Sequence, residues 1–221
     1  VAKYCSYSKY HLMRMFKEDM DEALYQFIKR VRLERSAWRL KVEKERSITE
    51  IGETYGYSSS NFATAFKKHL DISPADYRRS SEQMVEDSSF SHGMTLDDLD
   101  DAGSKITVEY LAPFTVLYER KKGNYHNLPD EWCDFIEKYK YFSTEDTLYI
   151  ECTIDDPSIT DENCCMYELC QTVMPDDQKL KEHPEVMLHD FEGGKYAVYH
   201  FKGIPQLLFM VYQEIFCRYL T

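Results

Sequence analysis

A chain of 221 residues with 43% hydrophobic and 14% aromatic content can build one large or two modest cores, which excludes a disordered chain. No apolar run approaches the roughly 20 residues of a membrane helix, no secretory leader is expected, and seven cysteines without extracellular-scaffold spacing point to a reducing, cytoplasmic setting. The net charge of −12 is unevenly spread: residues 1–80 carry 16 Lys+Arg against 11 Asp+Glu, and the remainder carries 11 against 28, so a basic head is joined to an acidic body that must face away from any phosphate partner.

In the head, VAKYCSYSKYHLMRMFKEDM reads as an apolar fragment (Val1, Ala2), a turn near Ser6, a serine cap at Ser8 and a helix. That helix should turn Leu12, Met15 and Phe16 inward and Lys9, Tyr10, Met13 and Arg14 outward. From Glu22 to about Val42, Leu24, Phe27, Ile28, Val31, Ala37 and Leu40 recur with helical period, uninterrupted by Gly or Pro. Roughly 20 residues at about 1.5 Å each span near 30 Å, close to the ~34 Å between successive major-groove faces. Its basic residues (Lys29, Arg30, Arg32, Arg35, Arg39) suit either a solvated face or phosphate contact.

Ser47 followed by Glu50 is a capping box that starts a helix at Ile48, with Ile48, Ile51 and Tyr55 as its apolar stripe. Gly52 should cost this helix about 1 kcal/mol of propensity, and Gly56 sits where a left-handed C-cap is needed. Ser58 to Ser60 can cap the next helix, with Phe62, Ala65, Phe66 and Leu70 inward, Asn61, Thr64, Lys67 and Lys68 outward, and a proline-stopped exit at Pro74. A small polar and basic outer face is what a major-groove reader needs, although an ordinary helical hairpin with a solvated face carries the same residues. Residues 81–103, acidic and serine-rich, read as a linker, with a helical tail near 81–87 as the alternative.

The body reads as α+β. Lys105–Lys121 alternates as a strand broken at Pro113, with Ile106, Val108 and Tyr110 and then Phe114, Val116 and Tyr118 sharing faces. Leu128–Phe142 is a predicted helix with Trp132, Phe135, Ile136 and Tyr139 inward, followed by strands at Leu148–Ile154 and Cys164–Val173. A strand over Val186–Phe201 and a helix over Leu207–Leu220 restart the pattern: Tyr199 stands 81 positions after Tyr118, and Gly203 80 after Gly123. This predicts duplicated βαββ units, the second incomplete at Thr221. Cys152, Cys164, Cys165 and Cys170 match no zinc spacing and read as buried strand cysteines, so neither metal nor cofactor is expected.

The ordered run I-x-E-I-G-x-x-x-G-Y, S-S-N-F-x-x-x-F-K-K and I-S-P-x-x-Y-R-R resembles the second helix-turn-helix of the AraC/XylS regulators, and residues 1–20 resemble the second half of the first. The resemblance implies that residues 1–80 are an all-α double helix-turn-helix DNA-binding domain whose opening helix is missing, so Val1 is not expected to be the natural N-terminus. Ser6 stands where that family commonly has glycine, which calls for a non-glycine residue at φ > 0, and the stretch from Tyr57 to Phe66 is one residue shorter than the family spacing. YIECTIDDPSIT, CCMYELCQTV and FEGGKYAVYHFKG resemble the GyrI-like effector-binding domain, implying that residues 104–221 form such a domain, C-terminally incomplete and lacking its closing strands.

Together the resemblances imply a cytoplasmic transcription regulator whose partners are double-stranded DNA, an apolar or cationic small-molecule effector and RNA polymerase, with no membrane and no enzymatic activity. The residues they assign to DNA are Lys9, Tyr10, Met13, Arg14, Ser59, Ser60, Asn61, Thr64, Lys67 and Arg79. Those they assign to the effector, between the two βαββ halves, are Tyr118, Tyr125, Trp132, Tyr149, Glu151 and Tyr212, with core packing the competing role of Trp132. The alternative is a GyrI-like binding or hydrolytic protein with a helical head that does not bind DNA, in which Glu151 and Glu168 work with Tyr118 and Tyr149.

Overall fold

The computed structural model describes residue 2, residues 4–86 and residues 106–201, which fall into two compact units. Among the described residues of the first unit the helices are α1 (Lys9–Met20), α2 (Leu24–Val42), α3 (Ile48–Thr54), α4 (Ser59–Leu70) and α5 (Pro74–Glu86). Leu33, Ala37 and Leu40 of α2, Ile51 of α3, and Phe62 and Phe66 of α4 make its core. The ring of Phe66 packs edge-on against Phe62 at 5.4 Å and Tyr77 at 5.5 Å, and Phe16 meets Phe27 at 5.1 Å, tying α1 to α2. Each of the two buried phenylalanines of α4 contributes about 1.5–3 kcal/mol by leaving water.

The expected starts are present. Ser47 and Glu50 form the full capping box, and Ser8 Oγ accepts from His11 N at 3.2 Å. Pro74 does not stop a helix: it is the first residue of α5, where a missing N–H costs nothing, and Ser73 Oγ caps Asp76 N at 3.1 Å. That helix continues to Glu86, so the first residues of the expected 81–103 linker are helical, and the rest of it lies outside the described residues.

Two inward assignments and one outward assignment are corrected. Met15 on α1 and Ile28 on α2 are exposed, whereas Arg30 on α2, expected on a solvated or phosphate-facing surface, is buried. Arg30 bridges Glu22 and Glu34 at 3.0 Å each, and Glu34 also lies 3.3 Å from His69 Nε2 of α4. The buried stripe of α2 therefore runs through Arg30, Leu33, Glu34, Ala37 and Leu40. Gly52 is the fourth: a Cβ there would lie 2.8–3.0 Å from Phe62, so the glycine permits α3 and α4 to close on each other and is no mere loss of propensity.

The second unit contains β1 (Ile106–Leu111), β2 (Phe114–Lys122), α6 (Leu128–Tyr139), β3 (Tyr149–Thr153), β4 (Met166–Val173), α7 (Gln178–Glu182), β5 (Leu188–Phe191) and β6 (Gly194–Tyr199). The sheet order is β3-β4-β2-β5, all neighbours antiparallel, and β1 pairs with β6. The two pairings lie in separate sheets but keep one register: Ile106↔Tyr199 to Leu111↔Gly194 is followed in step by Phe114↔Phe191 to Leu117↔Leu188. Ala112-Pro113 and Glu192-Gly193 interrupt it opposite one another, and Gly193 is needed there because a Cβ would sit 2.8 Å from Pro113.

One sheet face is covered by α6, where Phe135 and Tyr139 pack with Phe142, Leu117, Tyr167, Leu169 and Leu180. Pro129 and the acidic Asp130 and Glu131 occupy the first turn of α6, as its missing donors and dipole favour. The expected helix to Phe142 ends in a 3-10 turn over Lys140–Phe142, and Ile136, expected inward, is exposed. Cys164 belongs to a 3-10 turn before β4 and so does not alternate with Cys170 along a strand. The expected helix over 207–220 lies outside the described residues. Among the described residues no helix is long and apolar enough to cross a membrane.

Candidate nucleic-acid interface and effector site

Two helices of the head present free outer faces, and both are entered in the same way. Ser6 (φ 57) and Gly56 (φ 81) turn left-handed ahead of the N-caps Ser8 and Ser58, and Asp21 (φ 51) and Asp71 (φ 58) close the helices, each pair 50 positions apart. Ser6 thus adopts the positive φ expected of it, while Asp21 and Asp71 are tolerated because a short polar side chain suits the left-handed region. The shortened Tyr57–Phe66 stretch still reaches a regular α4, with Ser58 as N-cap, although its side chain makes no capping bond.

Lys9, Tyr10, Met13 and Arg14 on α1, Ser59, Ser60, Asn61, Thr64 and Lys67 on α4, and Arg79 on α5 are all exposed. Tyr10 is 86% exposed, too open for a core residue. Arg14 lies 3.8 Å from Glu18 and 3.2 Å from His11, contacts so open to solvent that they hold it weakly. Thr64 Oγ1 donates back to Ser60 O at 3.1 Å, and Ser59 Oγ lies 3.5 Å from Thr49 Oγ1. Arg79 is paired with Asp76 at 3.0 Å on the surface. Lys67 and Lys68, with half-buried His69, put basic charge on the last turn of α4, where it also complements the helix dipole.

In the second unit the sheet divides the residues assigned to an effector. Alternation and register place Tyr118, Arg120, Cys152, Glu168 and Cys170 on the face away from α6. Tyr149 and Glu151 share the α6 face with Trp132, whose Nε1 donates to Glu151 Oε2 at 3.2 Å and whose ring meets Tyr149 at 6.1 Å. Tyr125 is held in the core: its hydroxyl donates to Asp155 O at 2.8 Å and its ring lies 5.3 Å from Tyr167. Burial raises its phenol well above the ordinary value. Tyr212 lies outside the described residues. The structure therefore joins Trp132, Tyr149 and Glu151 but separates them from Tyr118. The hydrolytic set is split in the same way, with Glu151 and Tyr149 on one face and Glu168 and Tyr118 on the other.

Known proteins give these two surfaces a context. Residues 1–80 match the family described as a helix-turn-helix domain, and residues 104–220 match the GyrI-like small molecule binding domain. The chain belongs to the AraC/XylS regulators that carry a GyrI-like domain. Over 83 residues it is 43% identical to the transcriptional regulator Rob of Salmonella typhimurium, covering 37% of this chain and 28% of that protein. It is 39% identical to the probable transcription factor PqrA of Proteus vulgaris, covering 35% of this chain and 64% of that one. To the multiple antibiotic resistance protein MarA of Escherichia coli K12 it is 36% identical, covering 38% and 65%. It thus spans less than two thirds of the length of each of these curated relatives.

Sequence reasoning missed two features of this AraC-type head and GyrI-like domain. Arg30 was hidden because nothing in the local sequence marks its partners, Glu22 and Glu34, as charges that pair with it below the surface. Cys152, Glu168 and Cys170 were hidden because their meeting depends on the β3–β4 register. Only the i, i+2 spacing of Glu168 and Cys170 was legible beforehand.

Proposed function

We propose that the chain is a sequence-specific DNA-binding transcription regulator acting in the cytoplasm, with RNA polymerase as its downstream partner and no catalytic activity of its own. In this reading α1 and α4 enter successive major grooves, with α2 as the spacer between them. Tyr10, Met13, Arg14, Ser60, Asn61 and Thr64 face base edges, while Lys9, Ser59, Lys67 and Arg79 hold phosphate. A small apolar or cationic molecule taken up by the GyrI-like domain alters promoter binding. The supporting observation is that α1 and α4, entered through matching left-handed residues and serine N-caps, leave all of these side chains but Arg79 on their exposed faces, and Arg79 is exposed on α5.

The domain boundaries at 80 and 104, and a duplicated βαββ body, belong to the same proposal. The pairing of β1 with β6 and β2 with β5 supports duplication, because two equivalent broken strands related by a two-fold axis pair in that crossed manner. For the effector, Trp132, Tyr149 and Glu151 offer an aromatic and carboxylate cluster, and Tyr118 offers a ring on the opposite face.

Binding to DNA from upstream of the chain's own gene tests the proposal. Arg14→Ala should weaken specific binding by about 1–3 kcal/mol, and Lys67→Ala should flatten the salt dependence by about one counterion. Equal loss on random DNA would reassign Arg14 to phosphate, and no binding at low salt would refute the DNA-reading role of the head.

A further inference from the structure

The face of the GyrI-like sheet away from α6 brings together three metal-ligating side chains that no helix-turn-helix or effector role uses. Cys152 on β3 and Glu168 and Cys170 on β4 have their ligand atoms within 4.8 Å of one another, and among the described residues no other such trio occurs. Cys152 is registered opposite Glu168, and Cys170 is the next residue of β4 on the same face. Cys170 is fully buried and Glu168 is 8% exposed.

We propose that Cys152, Cys170 and Glu168 form a binding site for a thiophilic dication of the Zn2+ class. Two thiolates exclude Mg2+ and Ca2+, which need oxygen ligands, and the carboxylate disfavours Cu+, which prefers sulfur alone. Three protein ligands leave a fourth tetrahedral position for water or an effector donor atom. Arg120 supplies the outer support: its Nε, at 2.8 Å, and its Nη2 both reach Glu168 Oε1, so Oε2 stays available and the carboxylate is oriented.

Charge explains why the site suits a dication. The cation balances two thiolates, and Arg120 balances Glu168, so the filled site is neutral. Cys164 and Cys165 are not ligands: Cys164 lies in the turn before β4, and Cys165 Sγ points to Thr160 O at 3.8 Å. This site stands on its own geometry and does not require the head to read DNA.

The test titrates the reduced full chain with Co2+ in a non-chelating buffer and follows the sulfur-to-cobalt charge-transfer absorption. One equivalent should develop the band and Zn2+ should remove it, with Cys164→Ser unchanged. Cys152→Ser or Cys170→Ser should weaken binding at least about 100-fold, and Glu168→Gln about 10-fold. X-ray absorption of the Zn2+-loaded wild-type chain, which does not depend on any variant folding, should show two sulfurs at about 2.3 Å. Absence of the band, its survival in the Cys152→Ser/Cys170→Ser variant, or a sulfur count other than two would overturn the proposal.

Discussion

Replacing Arg30 with methionine tests whether the charged stripe of α2 is a strut of the head. The guanidinium is 10% exposed and sits 3.0 Å from both Glu22 and Glu34, whose side chains are 22% and 6% exposed. Removing one member of a buried ion pair costs about 3–5 kcal/mol because the other charge is stranded. Two facts reduce that figure here: Glu22 keeps some water, and Glu34 keeps His69 at 3.3 Å. The expected loss is about 2–3 kcal/mol, or roughly 10–20 °C in the melting temperature of a domain this small. The sequence supplies a clean probe, since Trp38 lies on α2 and Trp132 in the other unit. In a Trp132→Phe background, urea unfolding followed by fluorescence reports the head alone. Arg30→Met/Glu34→Leu should recover to within about 1 kcal/mol of the parent, because an apolar pair of similar volume avoids desolvating two ions. A loss under about 1 kcal/mol in the single variant, or a double variant no better than the single, would refute the strut.

The other predictions concern the two cores. Gly52→Ala gains about 1 kcal/mol of helix propensity but drives a Cβ to 2.8 Å from the Phe62 ring. Overpacking costs about 1–3 kcal/mol, so the expected net effect in urea unfolding is destabilising, by about 1 kcal/mol. Burial works to raise the Glu119 carboxyl, but bonds from Lys138, Tyr139 and Lys121 outweigh it and lower it from 4.5 to about 2. A carboxyl depressed by folding stabilises the fold above its unfolded value, so GyrI-like domain stability should fall as pH drops from about 4.5 toward 2. Glu119→Gln should flatten that part of the pH–stability curve, followed by Trp132 fluorescence in a Trp38→Phe background. Tyr125→Phe should cost about 1 kcal/mol of stability through the lost bond to Asp155 O, measured by the same fluorescence.

Much of the head was legible because its signals are local. A capping box, serine caps and glycine or serine at the left-handed turns are written within a few residues of the structure they make, and Ser47, Ser8, Ser6 and Gly56 all behave accordingly. What failed was information carried between elements. Arg30 looked like surface because its counter-charges lie eight residues earlier and one helical turn later, and Gly52 looked like a defect because Phe62 belongs to the next helix. The same division holds in the sheet domain. Strand alternation correctly put Phe114, Val116 and Tyr118 on one face. It did not reveal that Tyr149 and Glu151 occupy the opposite one, since that depends on which residue of β4 each strand meets.

Register and burial also change what the net charge means. The basic surplus of the head overstates the charge it can offer to phosphate, since Arg30 is spent inside. Arg39 and Arg46 converge on Glu43, and Arg46 also donates to Thr54 Oγ1 at 2.7 Å, which knits the end of α2 to α3. These arginines brace α2 and its junction with α3, and their charge is largely answered within the unit. The basic groups on the outer faces of α1 and α4 are different in kind. Lys9 and Arg14, and Lys67 and Lys68, lie beside tyrosine, serine, asparagine and threonine, and meet at most solvent-exposed partners. Exposed ion pairs are weak enough to exchange for phosphate at little cost, whereas a buried one is not. Burial therefore divides the basic residues of this small domain: Arg30 in the interior is held between Glu22 and Glu34, and Lys9, Arg14, Lys67 and Lys68 outside stay where the proposed contacts to DNA need them.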